Sequence, residues 1–575
     1  MSARATLLLT ALFVAASLGH VAWRLDGVGQ HYEVSVAQAS PAIHGTQAAR
    51  CDFVPPRDSV ERLSLFMVSE ERGRAQETRA VLTLRDVPGG RVVGQVERMV
   101  PAPGHPWRED LQFEPDWTVT AGQLYRLELS LPDAGPAQAL RLHMSESLDG
   151  GTTNLRVGEQ ALDGQSLDFL SFSERPRFPT ALVALGLALL ALAIRRCPSS
   201  HRDGETDRLS SASPLLVTLG LAAATSVFVW ESAVWRFYGE YWPDGKVYLA
   251  QLLKAALDNP QSWSETWSLV SGHLHGATPL VPLLLAALHW LGLPLLYGYT
   301  LLSLLFGAGT LALVSRFLRQ HSDLSPRQIA LVVAMTGCHF VVLRGVVRPQ
   351  TDGAGVFFTL LFVSALVDLT AASTTHARRY MAAVSLPVIL VLGLLARIAL
   401  LPLLLVPLAM AGWQALTSRG STERPAMLAP LLAAVAGCAL LAGTYQGLDL
   451  WGSLAQLRST ADRPEFRTLT LSSWATHSAM VAQLALPLVL LCWRRATSDH
   501  GPQVLLLTTA GFLAMLLVFQ VIPWYRYWAP ISPLVMVLSG YLLFDGVRAP
   551  GAWRYTLGAL TIVGNLAWVA IQKSY

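Results

Sequence analysis

From Pro214 onward the chain repeats one pattern, an apolar stretch followed by a short polar turn. The stretches run 214–231, 296–316, 328–345, 352–370, 379–395, 397–415, 427–446, 474–493, 503–521, 527–545 and 553–570. A hydrocarbon layer of about 30 Å needs roughly 20 apolar residues in helical form, and each stretch has about that length. Composition agrees: 52% of the 575 residues are hydrophobic and 14% are charged, against roughly 25% charged in a soluble protein. The chain therefore reads as an integral membrane protein. Its formal net charge of +4 is too small to argue for nucleic acid, and no basic-aromatic stripe of the kind such binding needs is present.

Two further apolar stretches, Ala5–Val21 and Pro179–Ile194, precede this series. The first follows Arg4 and suits a signal peptide or an uncleaved anchor. The small-residue site Ala37-Gln-Ala39 lies well beyond the apolar part, which favours the anchor; either reading exports the segment after it. Between them, from about Asp26 to Arg177, the chain turns polar. Arg62–Val68, Arg79–Val87, Arg91–Val100, Leu124–Leu131 and Leu140–Met144 have strand character. In the fourth, Leu127, Leu129 and Leu131 alternate with Glu128 and Ser130, and only a period-2 strand puts those leucines on one face. Pro-Gly-Gly at 88–90 and Asp-Gly-Gly at 149–151 supply turns. The expectation is an antiparallel β-sandwich of about seven or eight strands. Of the five cysteines only Cys51 falls in this segment, which rules out an internal disulfide there.

Charge gives the orientation. Pro279–Leu293 is short for a crossing and reads as re-entrant or surface-lying. With it left out, the basic turns fall on one side: Arg4, Arg195–Arg196, Arg316 with Arg319 and Arg327, Arg378–Arg379, Arg419 with Arg424, Arg494–Arg495, and Arg548 with Arg554. By the positive-inside rule that side is cytoplasmic. The reading is thirteen spans in an α-helical polytopic membrane protein, N-terminus inside and C-terminus outside. It divides the chain into an anchor (1–25), an extracytoplasmic β-sandwich domain (26–177), a second transmembrane helix with a cytoplasmic linker (178–213) and a transmembrane core (214–575). The location expected is a bacterial-type cytoplasmic (inner) membrane.

The loop from Tyr241 to Leu280 is far longer than two spans need for their connection. Within or beside it lie Glu240, Asp244, Lys246, Asp258, Glu265, His273 and His275, among Trp and Tyr residues suited to the water–lipid boundary. It also carries Asp-x-x-x-Tyr-x-Ala (Asp244, Tyr248, Ala250) and His-x-x-x-Pro-Leu (His275, Pro279, Leu280). Further on come Arg348-Pro-Gln-Thr-Asp-Gly353, Leu394-Leu-Ala-Arg-Ile398 and Tyr525-Arg-Tyr-Trp-Ala-Pro530. In order and in topological side these motifs resemble the GT-C superfamily of membrane glycosyltransferases, in its protein mannosyltransferase and aminoarabinose transferase-like branch. The resemblance covers about 214–545 and leaves the β domain outside it.

The resemblance implies transfer of a sugar from a polyprenyl-phosphate donor to a glycan, lipid or protein acceptor at the external face. Asp244 stands where the family's catalytic Asp stands, and Asp352 would be a second carboxylate. Arg348, Arg397 and Arg526 would bind the donor phosphate. Lys246, Tyr248, His275 and Tyr525 would line the substrate cavity. Many members carry Asp-Glu where this chain has Asp244-Gly245, so for a divalent metal ion the candidate ligands are Asp244, Glu240 (one helical turn earlier) and His275.

Other readings of the same residues stand beside these. Asp244 also suits the N-cap of a helix over 245–257, and Asp352 an N-cap paired with Arg348 at i−4. A lone histidine at a membrane boundary is often a hydrogen-bonded structural group. Arg348 and Arg526 also suit snorkelling to the interface. Arg397, with apolar neighbours on both sides, needs a partner more than either, because an arginine inside an apolar helix costs about 2.5–3.5 kcal/mol on insertion. Two other functions compete. A transporter or flippase of lipid-linked sugars would show repeated halves and helices broken at mid-membrane. A membrane sensor or assembly protein would bind its ligand on the β domain.

Overall fold

The computed structural model describes residues 3–25, 28–31, 38–55, 57–66, 78–100, 110–136, 139–146, 155–162, 165–167, 169–172, 180–197, 217–225, 280–293, 295–339, 342–343, 352–371, 374–397, 400, 403, 406, 436, 481–518, 529–547 and 551–571. Between Val28 and Phe172 it consists of β-strands, and outside them of helices.

The strand with the clearest alternation is also the middle of the largest sheet. Tyr125–Ser130 buries Tyr125, Leu127 and Leu129 and turns Arg126, Glu128 and Ser130 outward, as its period requires. It pairs antiparallel with Ala49–Phe53 on one side and Thr78–Asp86 on the other. Val92–Val100 adds an edge through a tight turn in which Gly90 takes φ +66° and donates to the Asp86 carbonyl at 2.8 Å. At the other edge lie Arg156–Val157 and Gln160–Ala161, completing six strands. A four-stranded sheet runs in the order Val28–His31, Phe169–Phe172, Arg62–Phe66, Asp110–Phe113, and two smaller sheets flank these. Leu82, Leu84, Leu127 and Leu129 of the larger sheet share one apolar core with Leu63, Leu65, Leu111 and Phe113 of the smaller.

Fifteen strands are described where about seven or eight were expected. The surplus has a physical reason. Several strands, such as Ser59–Val60 and Trp117–Thr118, have two residues and no readable period. Ala49–Phe53 lacks alternation because Cys51 and Asp52 are both buried. Asp52 tolerates that position because Arg126 grips it with two hydrogen bonds, Nε to Oδ1 at 2.7 Å and Nη2 to Oδ2 at 3.0 Å. Burial pushes the Cys51 thiol up to about 12, which makes it a packing group. The last expected strand shifts as well: His143–Glu146 is the strand, and Leu140 only bridges Ile43.

Among the described residues four helices are long and apolar enough to cross a membrane by length and composition: Leu301–His321, Gly353–Thr370, His376–Ala396 and Ala529–Gly546. The second and fourth are 83% buried within the bundle, the first and third about half, so the former pair is central. Asp352–Thr370 explains its own position. It has no polar stripe, and a helix apolar all round belongs in the middle of a bundle. It packs against Leu295–His321, His376–Ala396, His500–Val518 and the Ala529–Ile531 turn. Its hydroxyls bond back into the helix, Thr359 to the Gly355 carbonyl and Ser364 to that of Leu360, both at 2.8 Å.

Some expected spans are interrupted. The one expected over 328–345 is a 13-residue helix, Pro326–Cys338, started by the Ser325 capping box with Gln328 and Pro at its first turn. It stops at the buried His339, whose φ −65°, ψ 123° is extended. The one expected over 474–493 is broken at Gln483, which takes φ +41°. Within the Pro279–Leu293 stretch the described residues hold an 11-residue helix, Leu280–Trp290, about 16 Å long.

The strand pairing makes a prediction. Val28–His31 closes on Phe169–Phe172, so a 26–177 fragment should melt cooperatively and at a higher temperature than a 32–177 fragment lacking that strand alone. Equal melting would remove Val28–His31 from the folding unit. Within 26–177, Leu127→Ala should cost about 2–5 kcal/mol and Glu128→Gln markedly less, because surface ion pairs contribute little. Burial opposes ionisation of Glu128, but hydrogen bonds from Arg50 and Arg85 outweigh it and hold the carboxyl below its ordinary range. A lowered carboxyl contributes above its unfolded pKa of about 4.3 and loses that contribution on acidification. The gap between wild type and Glu128→Gln in urea melts should therefore close as pH falls below about 4.3.

Candidate functional site

One end of the helical bundle is a network of charged and polar groups. Asp368, in the last turn of the central helix, has 8% of its side chain exposed; His321 Nε2 lies 3.1 Å from one oxygen and Arg378 Nε 3.3 Å from the other. Two residues on, Thr370 Oγ1 is 2.7 Å from His500 Nε2, and Arg379 donates to the Ala371 carbonyl at 2.9 Å. Tyr541 donates to Asp499 at 3.1 Å, and Arg495 pairs with Asp545 at 2.8 Å. Arg554 holds the Phe544 carbonyl at 2.6 Å. On the neighbouring helices Arg327 donates to the carbonyls of Cys197 and Arg195 at 3.2 and 2.8 Å. These contacts gather the described basic turns at shared helix ends. Asp368, His321 and His500 were not singled out by the sequence, although a lone carboxylate in an apolar span carries its own signal: it must find a partner.

The opposite end of the central helix holds the site residues that the structure describes. Asp352 is the first residue of its helix, and 19 residues at 1.5 Å each put that end about 28 Å from Thr370. His376–Ala396 returns along it, joined through 371–375, so Arg397 arrives at the Asp352 end. Arg397 ends that helix as its C-cap, in extended conformation (φ −161°, ψ 114°), its N–H bonded to the Gly393 carbonyl. The residue is 4% exposed, and its Nε and Nη1 are shielded from solvent.

Its path is set by a glycine that no sequence motif marks. A Cβ on Gly355 would lie 2.8 Å from Arg397 Cδ and 3.7 Å from its Cβ. The arginine stem therefore lies directly over the backbone of the central helix, one turn in from Asp352. Gly393 makes the matching approach, since a Cβ there would meet Phe358 Cβ at 3.3 Å and Leu400 Cδ1 at 3.2 Å. Two glycines let the backbones close together around the arginine, the usual means of close helix packing in a membrane.

Of the sequence-derived candidates the structure thus brings Arg397 to the head of the helix that Asp352 begins. Asp244, Glu240, Lys246, Tyr248, His275, Arg348, Tyr525 and Arg526 lie outside the described residues. Among the described residues no group of three or more His, Cys, Asp or Glu is arranged to hold a metal ion. The fold defines a class: a multi-pass helical membrane protein with an N-terminal β-sheet region. In comparisons with known proteins, the chain matches no family model and no curated sequence.

If the Asp368 network clasps the bundle, Asp368→Asn should destabilise the purified chain by about 1–3 kcal/mol, the cost of a buried group losing its partner. Ser364→Ala, four residues earlier on the same helix, should change little. The two variants melting alike would show that the network does not hold the helices.

Proposed function

We propose that this chain is a GT-C-type membrane glycosyltransferase, moving a sugar from a polyprenyl-phosphate donor to a glycan, lipid or protein acceptor. It works at the outer face of a bacterial-type cytoplasmic membrane, through a core (214–575) that supplies eleven of the chain's thirteen spans. Residues 26–177 form an extracytoplasmic β-sandwich beside it. The observation that carries the reading is the position of Arg397: buried, at the head of the helix Asp352 begins, and at the opposite end from the basic turns. With the basic turns cytoplasmic, that arginine belongs to the external half, where a lipid-linked donor presents its phosphate.

The chemistry is defined by the bonds exchanged. The acceptor's hydroxyl or amine attacks the anomeric carbon, the carbon–oxygen bond to the carrier phosphate breaks, and polyprenyl phosphate departs. Asp244 takes the acceptor proton, with Asp352 as a second carboxylate. Arg397, with Arg348 and Arg526, meets the charge that develops on the leaving phosphate; guanidinium suits phosphate because it donates two parallel hydrogen bonds. Fixed donors in a dry site are worth more there than in water. Lys246, Tyr248, His275 and Tyr525 line the cavity. Were a divalent ion used, Asp244, Glu240 and His275 would hold it, and it would supply positive charge to the carrier phosphate.

Asp244→Asn keeps size and capping oxygen but removes the charge a base needs. Transfer in membranes at matched protein levels, read by mass spectrometry of glycolipids, should fall by roughly 10²-fold or more. Asp258→Asn in the same loop should be near-silent. Activity within about threefold of wild type for Asp244→Asn would take the base away from Asp244 and point to Glu240 or Asp352. Orientation has its own test: cysteines at Gln320 and Ser498 should resist an impermeant maleimide added outside intact cells. Their labelling would invert the topology and with it the side on which Arg397 lies.

A further inference from the structure

The contact between Gly355 and Arg397 says more than that two helices pack closely. Arginine side chains have four rotatable bonds, and the charged group swings with each. A donor-binding guanidinium has to be held before the donor arrives, because ordering it on binding costs affinity. In this bundle the ordering element is a missing side chain. The Arg397 stem runs across Gly355 so closely that an added Cβ would stand 2.8 Å from Cδ, well inside van der Waals contact. The Gly355 carbonyl is fixed in turn by Thr359 Oγ1 at 2.8 Å, and both residues are buried. Cδ is the last carbon before the guanidinium group. Displacing it moves the charged end while the backbone of either helix can stay where it is.

We infer that Gly355 is a positioning residue for phosphate recognition: its bare Cα forms the channel that aims Arg397 at the carrier phosphate. This rests on the transferase reading proposed above. It adds that the site's selectivity for a phosphorylated lipid depends on a residue that touches no substrate. The contact between the central helix and the Leu295–His321 helix offers a comparison in which crowding involves no charge. A Cβ on Gly309 would meet the ring of Phe357, two residues along from Gly355, at 2.7 Å, with no arginine in that contact. A merely structural loss should result from changing either glycine; a positioning loss should result from Gly355 alone.

The test uses the full chain in lipid nanodiscs and two probes, a polyprenyl phosphate and the unphosphorylated polyprenol. Wild type should prefer the phosphate form. Gly355→Ala should weaken binding of polyprenyl phosphate about tenfold and leave polyprenol binding unchanged. Gly309→Ala should change neither. In an Arg397→Gln background Gly355→Ala should cost nothing more, since two changes acting through one group are not additive. If Gly355→Ala fails to fold, Gly355→Ala with Arg397→Ala should restore folding without phosphate preference. Normal phosphate binding by Gly355→Ala, a loss additive with Arg397→Gln, or a double variant that stays unfolded would each overturn the inference. A wild-type chain that binds both probes alike would instead overturn the transferase reading on which it rests.

Discussion

A carboxylate in the last turn of an otherwise apolar helix must find partners, and Asp368 finds them on two neighbours. That pairing organises the bundle. Asp352–Thr370 is apolar on every side and would fit many rotations about its axis. His321 and Arg378 remove that freedom, because only one rotation presents Asp368 to both. Burial alone does not specify such a register, while a polar contact in an apolar interface can. His500 on Thr370 and Arg379 on the Ala371 carbonyl add to the same constraint two and three residues further on.

Fixing one end of a rigid rod fixes the other. With the Asp368 end locked, the helix head some 28 Å away is set against the returning His376–Ala396 helix. There the packing is made by absence, Gly355 and Gly393 replacing side chains that would hold the backbones apart. The Arg397 stem lies over Gly355, and Phe358 and Leu400 pack against Gly393. The two ends thus divide the labour, ion pairs holding one and close glycine packing shaping the other.

Much of this was legible in the residues. Period-2 leucines located the strand at Tyr125–Ser130, and apolar length located Asp352–Thr370 and His376–Ala396 within three residues at each end. The signal failed where burial was not periodic. Ala49–Phe53 hides Asp52 beside Cys51, so its alternation vanishes, and strands of two residues have none to show. It failed again where a helix is ended by backbone geometry, as at His339 and Gln483, because no apolar count registers a change of φ or ψ. Arg397 stood out as a charge among apolar neighbours. Gly355 did not, since a glycine's role depends on what passes over it, and Arg397 comes from 42 positions further along the chain.

On the proposed function, the lipid phosphate meets the protein at the head of the central helix and not among the basic turns. A structure of the full chain with a polyprenyl-phosphate analogue measures that directly. Phosphate oxygens should lie within about 3 Å of the Arg397 guanidinium, with the sugar-bearing side turned toward Asp244. A phosphate seated instead against Arg195, Arg327 or Arg378, at the opposite end of the bundle, would contradict it.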